Sequence, residues 1–74
     1  MKRFSAGLLG LGTVINGISV VLRPSDGGYR IYANHRPCAN LPDGGYVRNL
    51  NEAERTVSRY EKRICETASR SRLH

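Results

Sequence analysis

Ile18-Ser19-Val20-Val21-Leu22-Arg23-Pro24-Ser25-Asp26-Gly27-Gly28-Tyr29-Arg30-Ile31-Tyr32-Ala33-Asn34 is the stretch that decides how this chain folds. Its first part sets Ile18, Val20 and Leu22 against Ser19, Val21 and Arg23, the period of two of a half-buried strand. Pro24 is expected to end that strand. Ser25-Asp26-Gly27-Gly28 then has turn chemistry, because glycine takes positive φ without a steric penalty and an aspartate bonds its own local backbone. The return strand, Tyr29 to Asn34, turns Tyr29, Ile31 and Ala33 one way and Arg30, Tyr32 and Asn34 the other. The first set is expected to pack and the second to face solvent.

Towards the amino end, Asn16-Gly17 sits between β-branched residues in Thr13 to Val20, a strong hairpin signal. Before it, Ala6 to Leu11 reads equally as strand or as a short glycine-tolerant helix. Towards the carboxyl end, His35 to Leu41 is expected to be a loop with at most a short edge strand. Pro42-Asp43-Gly44-Gly45-Tyr46 repeats the Asp-Gly-Gly-Tyr of residues 26 to 29, as if one turn served two hairpins. Tyr46-Val47-Arg48 would be the last short strand.

Leu50, Ala53, Val57, Tyr60, Ile64 and Ala68 recur every three or four residues, so an apolar stripe runs along one long helix able to lie on the sheet. Asn49 followed by Glu52 three residues later is a capping-box arrangement, and Glu52 and Glu54 suit the positive end of the helix dipole. The sequence therefore predicts an α+β fold: a three- or four-stranded antiparallel sheet of hairpins with one long C-terminal amphipathic helix on one face. Residues 1–74 make one small domain, with a Gly/Leu-rich segment at 1–12, a hairpin sheet at 13–48, a helix at 49–69 and a basic tail at 70–74.

A chain of 74 residues has a small core. Hydrophobic residues at 39% and charged residues at 24% match globular averages, which argues against disorder and collagen-like repeats. Twelve Lys and Arg against six Asp and Glu leave a charge of +6, the one global feature that points to a polyanionic partner. Lys2 and Arg3 precede an uncharged run from Phe4 to Leu22 that imitates a signal peptide or anchor. Gly7, Gly10, Gly12 and Gly17 disfavour a stable helix there, and no small-x-small cleavage site precedes Arg23. A cytoplasmic protein without a membrane partner is expected.

Two cysteines exclude a framework of several bridges, and reduced thiols are expected, with Cys65 a small core residue of the helix and Cys38 a loop residue. His35, Cys38, Cys65 and His74 are zinc-type ligands at poor spacing, so no metal is expected. Asp26 and Asp43 are accounted for by turns and the four glutamates by the helix. His35 with Cys38 lacks a third group to orient a thiol–base pair. Gly7-Leu8-Leu9-Gly10-Leu11-Gly12 lacks the βαβ setting of a phosphate loop. No catalytic residue and no cofactor follow.

Binding remains, on two surfaces. Arg55, Arg59, Lys62 and Arg63 gather on the side of the helix away from the apolar stripe, with Arg70 two turns on. On the sheet, Arg30, Tyr32 and Arg36 alternate outward, extended by Arg23 and Arg48. Cations interleaved with a tyrosine neutralise phosphates while the ring stacks on a base, although a charged surface also serves solubility. Phe4, Leu8, Leu9 and Leu11 are candidates for a homodimer contact. The order hairpin, strand, helix, with Asp26-Gly27-Gly28-Tyr29 as hairpin and Leu50-Asn51-Glu52-Ala53 as helix start, is similar at fold level to HicB-type antitoxins and to the arm-binding domains of phage-type integrases, over about half of the chain. The expected function is a small, basic, non-enzymatic nucleic-acid-binding or regulatory module that tolerates many sequences. The alternative is a docking inhibitor or adaptor, of the mobile-element type, in which the same arginines meet an acidic surface on a protein complex that handles nucleic acid.

Overall fold

The computed structural model describes residues 4–7 and 10–70. The fold is α+β, a six-stranded antiparallel sheet with two helices on one face. The strands are β1 (Ser5–Gly7), β2 (Gly10–Ile15), β3 (Ile18–Ser25), β4 (Gly28–Ala33), β5 (Arg36–Pro37) and β6 (Tyr46–Val47). The sheet is thus larger than the expected three or four strands. Ala6 to Leu11 resolves to strand where described, because Ser5–Gly7 pairs with Gly10–Gly12.

Each central connection is a two-residue turn with both residues at positive φ, the geometry whose twist matches that of paired strands. Asn16 (φ 51°) and Gly17 (φ 79°) join β2 to β3; Asp26 (φ 47°) and Gly27 (φ 80°) join β3 to β4. The third turn, Asn34 (φ 50°) and His35 (φ 68°), joins β4 to β5 and was not anticipated, since histidine is an unusual residue there. A two-residue turn fixes the register of everything that follows from it. Around Asp26-Gly27 it pairs Leu22 with Ile31 and Val20 with Ala33 on one face, Arg23 with Arg30 and Val21 with Tyr32 on the other.

Pro24 does not end β3; it pairs with Tyr29. The β2 ladder stops at the Leu11–Leu22 pair, so beyond Leu22 the strand has β4 alone as neighbour, and a proline is tolerated on such an edge. The second Asp-Gly-Gly-Tyr does not make a hairpin either. Asp43 (φ 56°), Gly44 (φ 63°) and Gly45 (φ 86°) form a left-handed turn within Pro42–Gly45 that returns the chain to β4. There β6 takes Tyr29 and Arg30 while β5 takes Tyr32 and Ala33, so two short strands share one edge.

The single long helix is instead α1 (Leu50–Arg59) and α2 (Glu61–Arg70), separated at Tyr60, whose φ of −117° and ψ of 33° leave helical geometry. The Tyr60 N–H still donates to the Thr56 carbonyl (2.9 Å) and its carbonyl accepts from Ile64 (3.1 Å), so the apolar stripe carries across the break. The bend suits a twisted sheet: α1 packs beside β6, and α2 lies on β4 and β5. Asn49 caps α1 as expected, accepting from the Glu52 N–H at 2.9 Å while Glu52 accepts from the Arg48 N–H at 2.7 Å.

The core lies between these layers. Val20, Leu22, Ile31, Ala33 and Val47 from the sheet meet Ala53, Val57, Ile64 and Ala68 from the helices. Phe4 and Leu11 also belong to this packing, so of the four residues considered for a homodimer contact these two are used inside; Leu8 and Leu9 lie outside the described residues. The expected cysteine environments are exchanged. Cys38 is fully buried, its N–H bonded to Ile31 O at 3.0 Å, and Cys65 is only half-buried. The loop folds inward because β5 places Cys38 one step beyond Pro37 against β4, whereas Cys65 follows Ile64 around the helix to its flank. Among the described residues, no helix is long and apolar enough to cross a membrane, and the run from Phe4 to Leu22 supplies strands where described.

Candidate nucleic-acid interface

The helices cover the sheet face carrying Val20, Leu22, Ile31 and Ala33. The opposite face carries Val14, Ser19, Val21, Arg23, Arg30 and Tyr32, and no described element covers it. Val14, 70% exposed, is the one large hydrophobic residue left open among the described residues.

Arg23 and Arg30 stand directly opposite each other on this face. Like charges so placed destabilise a sheet, and the two side chains diverge. The Arg23 guanidinium moves along the strand to lie over the Tyr32 ring, 5.2 Å from its centroid. Arg30 leans off the edge and donates to the Gly44 carbonyl at 3.3 Å, bracing the left-handed turn. His35, raised on the Asn34-His35 turn, joins Val21, Arg23 and Tyr32 around a small hollow. A cation, an aromatic ring and an imidazole thus converge on an open sheet face.

Of the expected sheet residues, Arg30 and Tyr32 share this face and Arg36 does not. Arg36 pairs with Ala33 and so points to the same, helix-covered side, where it is exposed at the sheet edge. The alternation was read straight through residues 34 and 35, but the turn there reverses the chain and shifts the pattern. Arg48 is exposed just after β6.

The helix residues divide as well. Arg55, Arg59 and Lys62 are exposed and make no hydrogen bond or ion pair with another described residue. Arg63 is committed to the fold: its Nη1 donates to the Asn40 carbonyl (3.3 Å), its guanidinium lies 5.0 Å from the Tyr60 ring centroid, and its own carbonyl accepts from Asn40 Nδ2 (3.0 Å). Asn40 Oδ1 also accepts from the Thr67 hydroxyl at 2.9 Å, so one loop asparagine pins residues 38–41 to α2. Arg55 and Arg59 line a hollow with Asp43, Tyr46 and Tyr60, beside the turn that Arg30 braces, while Arg23 and Tyr32 lie on the open sheet face.

Burial pushes the Cys38 thiol from 9.0 up to about 11, against hydrogen bonds with Thr67 and the Ala33 backbone that act the other way. Cys38 faces the core while His35 turns to the open face, so they do not meet as thiol and base. No group of three or more His, Cys, Asp or Glu with metal-binding geometry occurs among the described residues, and His74 lies outside them.

Sequence reasoning missed His35 and Asn40 and gave Arg23 only a supporting place. For Arg23 the signal was present: a two-residue turn at Asp26-Gly27 dictates the pairing of Arg23 with Arg30. For Asn40 no sequence signal distinguishes a pinning side chain from a solvated one. Comparisons with protein-family models, with curated proteins and with solved structures return no match to this chain.

Proposed function

We propose that this chain is a small, non-enzymatic nucleic-acid-binding module whose contact surface is the open face of the sheet, taking single strands with little sequence preference. The observation that carries the reading is the Arg23 guanidinium seated over Tyr32 on a sheet face that no described helix covers. A base stacks on an aromatic ring or on a guanidinium plane, and the cation neutralises the adjoining phosphate. Two further features support it. Arg23 and Arg30, paired across neighbouring strands, give this side of the sheet two cations, one over the ring and one at the edge. His35 occupies a left-handed position that glycine or asparagine fills at lower cost, and strain kept beside an exposed cluster favours a functional role.

The test is fluorescence anisotropy with a labelled single-stranded oligonucleotide at two salt concentrations. Micromolar or tighter binding that weakens steeply with salt is expected; absence of binding at low salt overturns the reading.

A second reading is favoured by Val14. An exposed valine on the same sheet face as Val21 and Tyr32 suits a protein contact, with the arginines meeting acidic residues of a nucleic-acid-handling partner. Under it, a stoichiometric complex with such a partner survives nuclease treatment, and oligonucleotides do not compete for the face.

A further inference from the structure

An open hollow of about 290 Å³ lies between the left-handed turn at Pro42–Gly45 and α1, and Asp43, Tyr46, Glu52, Arg55, Arg59 and Tyr60 line it. The turn is held there by Arg30, which donates to the Gly44 carbonyl, and the start of α1 is fixed by the Asn49 cap. Arg55 and Arg59 stand four residues apart on α1, so both reach the same space. Asp43 and Glu52 line it too, yet neither arginine makes an ion pair or hydrogen bond with another described residue. Glu52 is engaged elsewhere, accepting from the Arg48 N–H at 2.7 Å. The tyrosines are held: the Tyr46 hydroxyl donates to the Asp26 carbonyl at 3.0 Å, and the Arg63 guanidinium lies 5.0 Å from the Tyr60 ring centroid. The walls of the hollow are thus braced while its two cations stay uncommitted.

We infer that this hollow is a second binding site, one that takes a single nucleoside 5′-phosphate, with its phosphate on Arg55 and Arg59 and its base against the tyrosines. Guanidinium forks match phosphate oxygens in both geometry and charge. An anion without a base gains little, because Asp43 and Glu52 offset the two arginines, and an acidic peptide meets the same opposition. A base turns that opposition into attraction: guanine offers a carboxylate two adjacent N–H donors, and offers an aromatic ring a flat face. Asp43 is the carboxylate left to take them, its side chain making no hydrogen bond or ion pair with another described residue. The volume lies at the small end of the range of roughly 300–1,000 Å³ usual for ligand pockets, which suits one nucleotide and not a run of them. The hollow is a separate site from the Tyr32 face and stands whether or not that face binds a strand. A free nucleotide and the phosphorylated 5′ end of a strand share this chemistry.

The experiment titrates the full, isotope-labelled chain with guanosine 5′-monophosphate, guanosine and inorganic phosphate, and follows the backbone amides by NMR. The nucleotide should give saturable shifts at residues 43–46 and 55–60 and bind at least about tenfold more tightly than guanosine or phosphate. Arg55→Gln with Arg59→Gln should bring the nucleotide down to the affinity of guanosine. Asp43→Asn, which tolerates the positive φ at that position, should narrow the preference for nucleotide over phosphate. Tyr32→Leu should leave nucleotide binding unchanged, and circular dichroism confirms that each variant folds. Oligonucleotides ending in a 5′-phosphate or a 5′-hydroxyl separate the two sources. A 5′-phosphate that strengthens binding to the wild type but not to the double variant identifies a strand end; no gain from it, beside saturable nucleotide binding, identifies the free nucleotide. Equal affinity for nucleotide and phosphate, nucleotide binding untouched by the double substitution, or shifts confined to the Tyr32 face overturns the inference and leaves the proposed function standing. Absence of strand binding with nucleotide binding kept does the reverse.

Discussion

His35 is the residue at which stability and the proposed binding surface pull against each other. Its φ of 68° lies in the left-handed region, where an L side chain costs about 1–2 kcal/mol, partly offset because glycine loses more backbone freedom on folding. His35→Gly should therefore stabilise the domain by about 0.5–1 kcal/mol in urea unfolding, while weakening oligonucleotide binding. A loss of stability would show that the side chain contributes more than its strain costs. Cys38 makes a second residue-scale prediction. Its thiol is protonated in both states below pH 9, and the folded state holds that proton up to about pH 11. Stability from this group is thus complete at neutral pH and is lost as pH rises from 9 to 11, by about 2–3 kcal/mol. The wild type should lose more stability across that window than Cys38→Ala does, the tyrosines, the two lysines and Cys65 being common to both proteins; equal losses would contradict the burial assigned to Cys38.

At the scale of elements, strand faces and the helix stripe were legible because each rests on local periodicity. Val20, Leu22, Ile31 and Ala33 point inward as their alternation requires, and all six stripe residues from Leu50 to Ala68 meet the core. What the sequence concealed depends on distant partners. The break at Tyr60 answers to the twist of the sheet, and the two copies of Asp-Gly-Gly-Tyr diverge because one is followed by a long strand while the other is held by Cys38–Leu41 and Arg30. Arg36 was assigned to the wrong face for the same reason: the Asn34-His35 turn is completed by a residue that rarely completes one. The loop-to-helix anchor at Asn40 is the element-scale feature most open to test. Asn40→Ala removes two side-chain hydrogen bonds between the 38–41 loop and α2, to Arg63 O and from the Thr67 hydroxyl, and should cost about 1–2 kcal/mol in thermal or urea unfolding. An unchanged midpoint would mean that water replaces those bonds without loss.

The whole molecule is a two-layer sandwich whose cations are divided among the open sheet face, the sheet edge and the helices. Composition announced the charge of +6 but not this division, since which face an arginine occupies follows from register and packing rather than from number. Of the seven expected residues, Arg30 and Tyr32 share the open face, where Tyr32 meets Arg23 and His35; Arg55, Arg59 and Lys62 are exposed on the helices; Arg63 is spent on the fold and Arg36 stands apart. The central claim is that Tyr32 offers its ring to a base, and it is tested most directly by measuring single-strand affinity for wild type, Tyr32→Phe and Tyr32→Leu at one low salt concentration. Stacking of this kind is worth about 1–3 kcal/mol per base. Tyr32→Phe should bind nearly as wild type, and Tyr32→Leu should bind roughly five- to a hundredfold more weakly. Equal affinity of the leucine variant and the wild type would contradict the account.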